Sequence, residues 1–210
     1  MKKILINAWV LGLFIVAACS NKDSKKSEAS KDMGNMSKDS TGPVTQTVDK
    51  EIKAVAVSFN TLDAKIAVSI KEIVDHYLHL KNALANDNGS EAASAGKAME
   101  KTIGGVDKSF FTAEQKKVYD NIEDDLKEHA EHIGKNGDNI THQREHFAMM
   151  SEDVYDLVKA FGGGRPIYHD HCPMYNEGKG ALWLSEMKEV KNPYFGAKMP
   201  TCGSVEEIIK

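Results

Sequence analysis

Soft and borderline metal donors crowd the C-terminal part of the chain: His169, His171, Cys172, Met174, Met187, Met199 and Cys202. Thiolate and thioether sulfur select Cu(I), and imidazole is a tolerant addition to such a set. The run His169-Asp170-His171-Cys172-Pro173-Met174 places four donors on one short stretch of backbone. Farther on, Met199-Pro200-Thr201-Cys202-Gly203 sets two sulfurs three positions apart, with Gly203 allowing a tight turn. Brought together, the two groups make a sulfur-rich pocket for which Ca²⁺ and Mg²⁺, which take oxygen ligands, are a poor match. The expected metal set is Cys172, Met174, Met199 and Cys202, joined by His171 and His169. The competing reading is a Cys172–Cys202 disulfide that staples the segment, with Met174 and Met199 as packing.

The helical part of the chain carries further histidines. His142 and His146 are spaced i, i+4, with Met149 one turn on; His129 and His132 are spaced i, i+3, as are His76 and His79. An i, i+4 pair can chelate a metal. These residues flank the apolar stripes and stand among Glu128, Glu131 and Glu145, so a solvated polar face is the reading taken. His142, His146 and Met149 become extra ligands only if their helix faces the C-terminal motif. There is no His-Glu-x-x-His to supply a zinc-protease acid.

The elements that must position these residues are mainly helices. Phe59, Leu62, Ile66, Ile70, Ile73, Tyr77, Leu80 and Leu84 mark one face of a long helix, closed by Asn86-Asp87-Asn88-Gly89. A shorter helix follows from about Glu91 to Ile103. Thr112 and Gln115 form a capping box opening a third, with Val118, Ile122, Leu126, Ala130 and Ile133 on its stripe. Asp138 is the expected N-cap of a fourth, carrying Ile140, Phe147, Met150, Val154, Leu157 and Phe161 and stopped by Gly162-Gly163-Gly164. Arg144 sits near that core stripe and calls for an acid or carbonyl partner. The fold expected is all-α: an antiparallel four-helix bundle over residues 51–164. Residues 165–210, with Pro166, Pro173, Pro193 and Pro200, are expected to be an irregular, turn-rich segment of the same domain. Trp183, Leu184 and Phe195 would anchor it, and a capping box at Ser204 and Glu207 would start a short last helix.

The N-terminus reads as an export signal. Lys2 and Lys3 precede an apolar run from Ile4 to Ala18 that is too short to span a bilayer. Val16-Ala17-Ala18-Cys19 resembles a lipobox, which implies cleavage after residue 18 and lipid on Cys19. Residues 19–50, rich in Ser, Lys and Asp, would then be a flexible tether to the membrane. These features predict a cell-envelope location, on the periplasmic or cell-surface side. The chain carries 27 basic and 31 acidic side chains, net −4, and the signal would remove two lysines and no acid. Such a balance argues against nucleic acid as a partner.

Four motifs in residues 168–208 resemble the signature of an uncharacterised bacterial exported domain family. They are Cys172-Pro173-Met174, Trp183-Leu184-Ser185, Asn192-Pro193-Tyr194-Phe195-Gly196 and Met199-Pro200-Thr201-Cys202-Gly203. Upstream, Tyr77, Ala83-Leu84, Asp87, Gln143-Arg144, Phe147 and Ser151 fit as well, so the resemblance covers roughly residues 62–210. That family occurs in small lipoproteins and on periplasmic adaptor subunits of heavy-metal (copper/silver) efflux pumps. The resemblance implies metal homeostasis, with an efflux adaptor or other envelope protein as a partner. His169 and His171 are not firm members of the pattern. Together these features predict an exported lipoprotein binding a soft metal, Cu(I) foremost, and the alternative is a structural or partner-binding envelope lipoprotein with the disulfide. No nucleophile elbow, phosphate-cradling loop or Cys-x-x-Cys pair is present, so no catalysis is expected.

Overall fold

A computed structural model describes residues 52–210. The signal segment, Cys19 and the tether lie outside these residues. The described residues belong to one compact unit, and among them no helix is long and apolar enough to cross a membrane.

Five helices carry most of the structure: α1 Ala64–Ala85, α2 Gly89–Gly104, α3 Ala113–Asp120, α4 Glu123–Lys135 and α5 Ile140–Phe161. The expected stripe of α1 is the core, since Ile66, Ile70, Ile73, Tyr77, Leu80 and Leu84 are all buried. The helix starts later than the stripe suggested, because the Asp63 side chain accepts from Lys65 N at 2.8 Å and caps it there. Phe59 and Leu62 precede it; the Phe59 N–H donates to the Ala160 carbonyl at 2.9 Å and its ring packs on Phe161.

The third expected helix is two helices. The Thr112–Gln115 capping box forms as read, but the chain breaks at Asn121-Ile122 before α4 begins. Asp120 and Asn121 are weak helix formers, and the break lets Tyr119 and Leu126 both reach full burial. Glu123, Asp124 and Asp125 in the first turn of α4 offset its missing side-chain cap. Asn139, rather than Asp138, caps α5 by accepting from His142 N at 3.2 Å.

The all-α expectation needs a correction in the C-terminal segment, which is built on strands. β1 Lys53–Val55, β2 Ile167–Cys172, β3 Ala181–Ser185 and β4 Ser204–Ile209 form one sheet in the order β1-β4-β2-β3. β1 runs parallel to β4, and β2 runs antiparallel to both β3 and β4. The prolines punctuate this sheet instead of dissolving it. Pro166 and Pro173 bracket β2, and Pro193 and Pro200 lie in the connection to β4, so no ladder donor is lost. The last expected helix is β4. Its Ser204–Glu207 box is a local signal, and pairing on both edges with β1 and β2 outweighs it. Trp183 and Leu184 are fully buried anchors, and Phe195 packs beside them.

Candidate metal centres

The first cluster joins the two ends of the sulfur motif. β2 delivers Cys172 at its last residue, and the β2–β4 register sets His171 opposite Ser204. Cys202, two residues before Ser204, is thereby carried to the end of β2, and the two Sγ atoms lie 3.4 Å apart. Both thiols are free. Gly203 makes the approach feasible: its φ is +136°, and a Cβ there would sit 2.7 Å from Trp183 Cη2 and 2.9 Å from the His171 carbonyl oxygen. Asn192 ties the other side of the loop by donating to the Cys202 carbonyl at 2.6 Å. Two sulfurs bound to one tetrahedral metal at ~2.3 Å stand about 3.8 Å apart, so a small χ1 change admits one. The hydrogen bond with Cys172, and burial after it, push the Cys202 thiol up from its ordinary value.

The other expected ligands are placed unevenly around this pair. Cys172 is buried, Cys202 and Met199 are half-buried, and Met174 is 55% exposed. The Cys202 N–H donates to the Met199 carbonyl at 3.2 Å, which fixes that turn. His171 and Cys172 are consecutive on a strand and leave on opposite faces. His171 instead has Glu206 at 3.7 Å, and His169 stacks near Tyr155 with Glu207 at 3.9 Å. Both His169 nitrogens are buried without a hydrogen-bond partner, and burial pushes its imidazole down from the ordinary value. Met187, in the bend after β3, donates its N–H to Ser185 Oγ at 3.2 Å.

Asp170, on β2 between the two histidines, was not singled out from the sequence. It is fully buried, its carboxylate oxygens have no hydrogen-bond partner, and burial lifts it to about 7 against the pull of Lys81.

The second cluster is helical. His129 and His132 of α4 meet His142 and His146 of α5. His129 Nδ1 lies 3.1 Å from His146 Nδ1, and the His132 ring stacks on His146 with centroids 4.2 Å apart. The His142 ring meets His146 edge-on at 4.5 Å. One ring nitrogen each from His132, His142 and His146 lie within 4.8 Å of one another. All four rings are half-buried. Burial pushes His129 down from the ordinary imidazole value. Burial and the neighbouring His132, His142 and His129 push His146 down to about 4.

Two packing features hold this face. Gly96 of α2 approaches α4 so closely that a Cβ there would lie 2.9 Å from the Ala130 carbonyl oxygen and 3.0 Å from Gly134 N. Gln143, next to His142 and fully buried, donates to the Gly89 and Ile133 carbonyls at 2.9 and 3.1 Å, keying α5 to α2 and α4. The sequence reading placed these histidines on a solvated face. A usable signal was present: His132 and His142 are each five residues from Gly137 in the connection, and His129 and His146 are eight and nine away. In an antiparallel hairpin, residues equidistant from the turn face one another.

No curated protein and no solved structure gives a significant match to the chain. Residues 73–165 match the model of a family described as a protein of unknown function, DUF3347, a span that holds all four clustered histidines and ends before Cys172.

Proposed function

We propose that the chain is an exported lipoprotein that binds a soft transition metal, Cu(I) foremost, and serves envelope metal homeostasis or efflux without catalysis. The observation that carries this reading is the 3.4 Å approach of Cys172 and Cys202 across thirty positions of chain. Two thiols held that close, free, with a thioether one turn away at Met199, match the donor preference of Cu(I). Cys172 and Cys202 would be the primary ligands, with Met199 and then Met174 completing the set. His171 and His169 are the weaker members, because strand alternation turns them from the sulfurs. Lipid on Cys19 would anchor the domain to the membrane, and an efflux adaptor or other envelope protein would receive or supply the metal.

Anaerobic Cu(I) titration of the reduced protein against a chromophoric chelator tests this. The affinity should collapse in the Cys172→Ser/Cys202→Ser double variant, and an unchanged affinity there would sink the reading.

A second reading is favoured by the full burial of Cys172 beside the apolar core. In it the pair is a disulfide staple in a structural or partner-binding envelope lipoprotein. Mass spectrometry of the exported protein without reductant separates the two. A fully oxidised, reduction-resistant Cys172–Cys202 bridge supports the staple.

A further inference from the structure

The four helical histidines are placed in a way that a solvated face does not explain. On such a face long polar side chains spread into water, whereas here four rings from two helices turn inward onto each other. Four of the ring pairs, every one of them His146 with a neighbour or His132 with His142, have centroids 4.2 to 5.7 Å apart. Among themselves they make a single hydrogen bond, His129 to His146. One ring nitrogen each from His132, His142 and His146 comes within 4.8 Å of the others, and His129 Nδ1 stands 3.1 Å from His146 Nδ1, so a cation at this half-buried spot would satisfy several of them at once.

The spacing also suits chelation. His129 and His132 share one face of α4, His142 and His146 share one face of α5, and the short Asn136–Asn139 connection closes the hairpin. Each helix therefore presents a two-donor chelate, and the two face each other as in helical-bundle metal sites. Two nitrogens on a tetrahedral metal at ~2.0–2.1 Å stand about 3.3 Å apart. The 3.1 Å between His129 and His146 is already close to that edge. The 4.8 Å limit among His132, His142 and His146 asks only for side-chain rotation, and His129 joins that triad through its contact with His146. Glu145 Oε2, 3.6 Å from His142 Nδ1, stands where an outer carboxylate would fix the ring and leave Nε2 to the metal. The backbone beneath is held by Gly96 and Gln143, so little ordering is left to metal binding.

The donor set decides the cation. All four ligands are imidazole, without sulfur and without a carboxylate in the group. That disfavours both Cu(I), which wants sulfur, and Mg²⁺ or Ca²⁺, which want oxygen. We propose that His129, His132, His142 and His146 form a binding site for a divalent late transition cation, Cu(II) or Zn(II). It shares no residue and no ligand chemistry with the cysteine pair. If the cysteine pair proves to be a disulfide, this site stands unaffected.

The test uses the full chain carrying Cys172→Ser and Cys202→Ser, so that sulfur binding is silent. Calorimetric titration with ZnCl₂, and separately with CuCl₂ bound to a weak buffer ligand, should show one equivalent taken up. The His142→Gln/His146→Gln pair added to that background should weaken binding by at least roughly 100-fold, the upper end of what losing an outer-shell partner alone costs. Since a folding defect would mimic that loss, the variants' far-UV circular dichroism and Tm without metal are matched to the parent first. His132→Gln alone gives an independent, milder variant. Long-range ¹H–¹⁵N spectra of the imidazoles should then show the four named rings shifting on Zn²⁺ addition, with His76 and His79 unmoved. No uptake in the Cys172→Ser/Cys202→Ser chain, unchanged affinity in the histidine variants, or shifts confined to other histidines each overturn the assignment.

Discussion

The guanidinium of Arg144 lies 2.6 Å from the Asp87 carboxylate, and the same group donates to the Leu84 carbonyl at 2.8 Å and the Pro193 carbonyl at 2.7 Å. Asp87 in turn accepts from Ala197 N at 2.9 Å. One side chain of α5 therefore ties the end of α1 to the segment between β3 and β4. Arg144→Ala removes a donor from two carbonyls and leaves Asp87 with only the Ala197 N–H, so urea unfolding should show a loss of roughly 2–4 kcal/mol. Arg144→Lys, with a single point of charge, should recover less than half. Equal midpoints for Ala and wild type would show the clamp to be ornamental.

Asp153 of α5 predicts a pH effect. Burial, then the charges of Asp125, Asp156 and Glu152, raise its carboxyl to about 6 from an ordinary 3.8. A raised folded value means the group's contribution is intact below about pH 4 and is lost as pH climbs through about 6. The difference corresponds to about 3 kcal/mol, which partial exposure screens down to about 1 kcal/mol. Asp153→Asn should therefore be more stable than wild type by that smaller amount at pH 7 and indistinguishable from it near pH 3.5. A gain of equal size at both pH values would refute the electrostatic cause.

Gly96→Ala sets helix propensity against packing. Alanine is the better helix former by about 1 kcal/mol, yet its Cβ would meet the backbone of α4 at 2.9 and 3.0 Å. Backbone cannot swing aside as a flexible side chain does, and overpacking costs about 1–3 kcal/mol. We expect a net loss of about 1–2 kcal/mol by chemical denaturation. A stabilised variant would mean that α2 and α4 separate more easily than their glycines suggest.

How much of this was legible in the sequence depends on how far apart the partners lie. The Ile66-to-Leu84 stripe and the Thr112–Gln115 box are local signals, and both appear as read. The convergence of Cys172 with Cys202 was also anticipated, because two sulfur-bearing turns in one proline-rich segment have few other places to go. Ser204–Glu207 carries an equally good local signal for a helix and became β4, since its fate is set by pairing with Lys53–Val55 and Ile167–His171. Nothing local to residues 204–209 announces those partners. The histidine cluster failed differently. Each pair was visible on its own helix, but burial at the α4–α5 seam comes from the hairpin and was invisible to a stripe read one helix at a time.

Lys81 gives the sharpest energetic test. Its ammonium is fully buried, donating to Glu186 Oε2 at 2.9 Å and weakly to Ser185 Oγ at 3.4 Å, and burial lowers it below the ordinary lysine value. A buried ion pair is poor evidence for stability, because desolvation offsets the attraction. The two partners are not equivalent, however. Glu186 keeps a second donor in Asn82 at 2.8 Å and is 23% exposed, so losing the lysine does not strand it. Losing Glu186 leaves the ammonium buried with only a distant hydroxyl. Removing the acid should therefore cost more than removing the base. The comparison belongs at pH 6, below the value of about 7 reached by Asp170, so that Asp170 holds its proton and does not need the cation. Under those conditions Lys81→Met, which keeps the volume, should change stability by less than about 1.5 kcal/mol. Glu186→Ala should cost about 3 kcal/mol or more. The reverse order in guanidinium unfolding would mean that the ammonium is supported by groups other than Glu186.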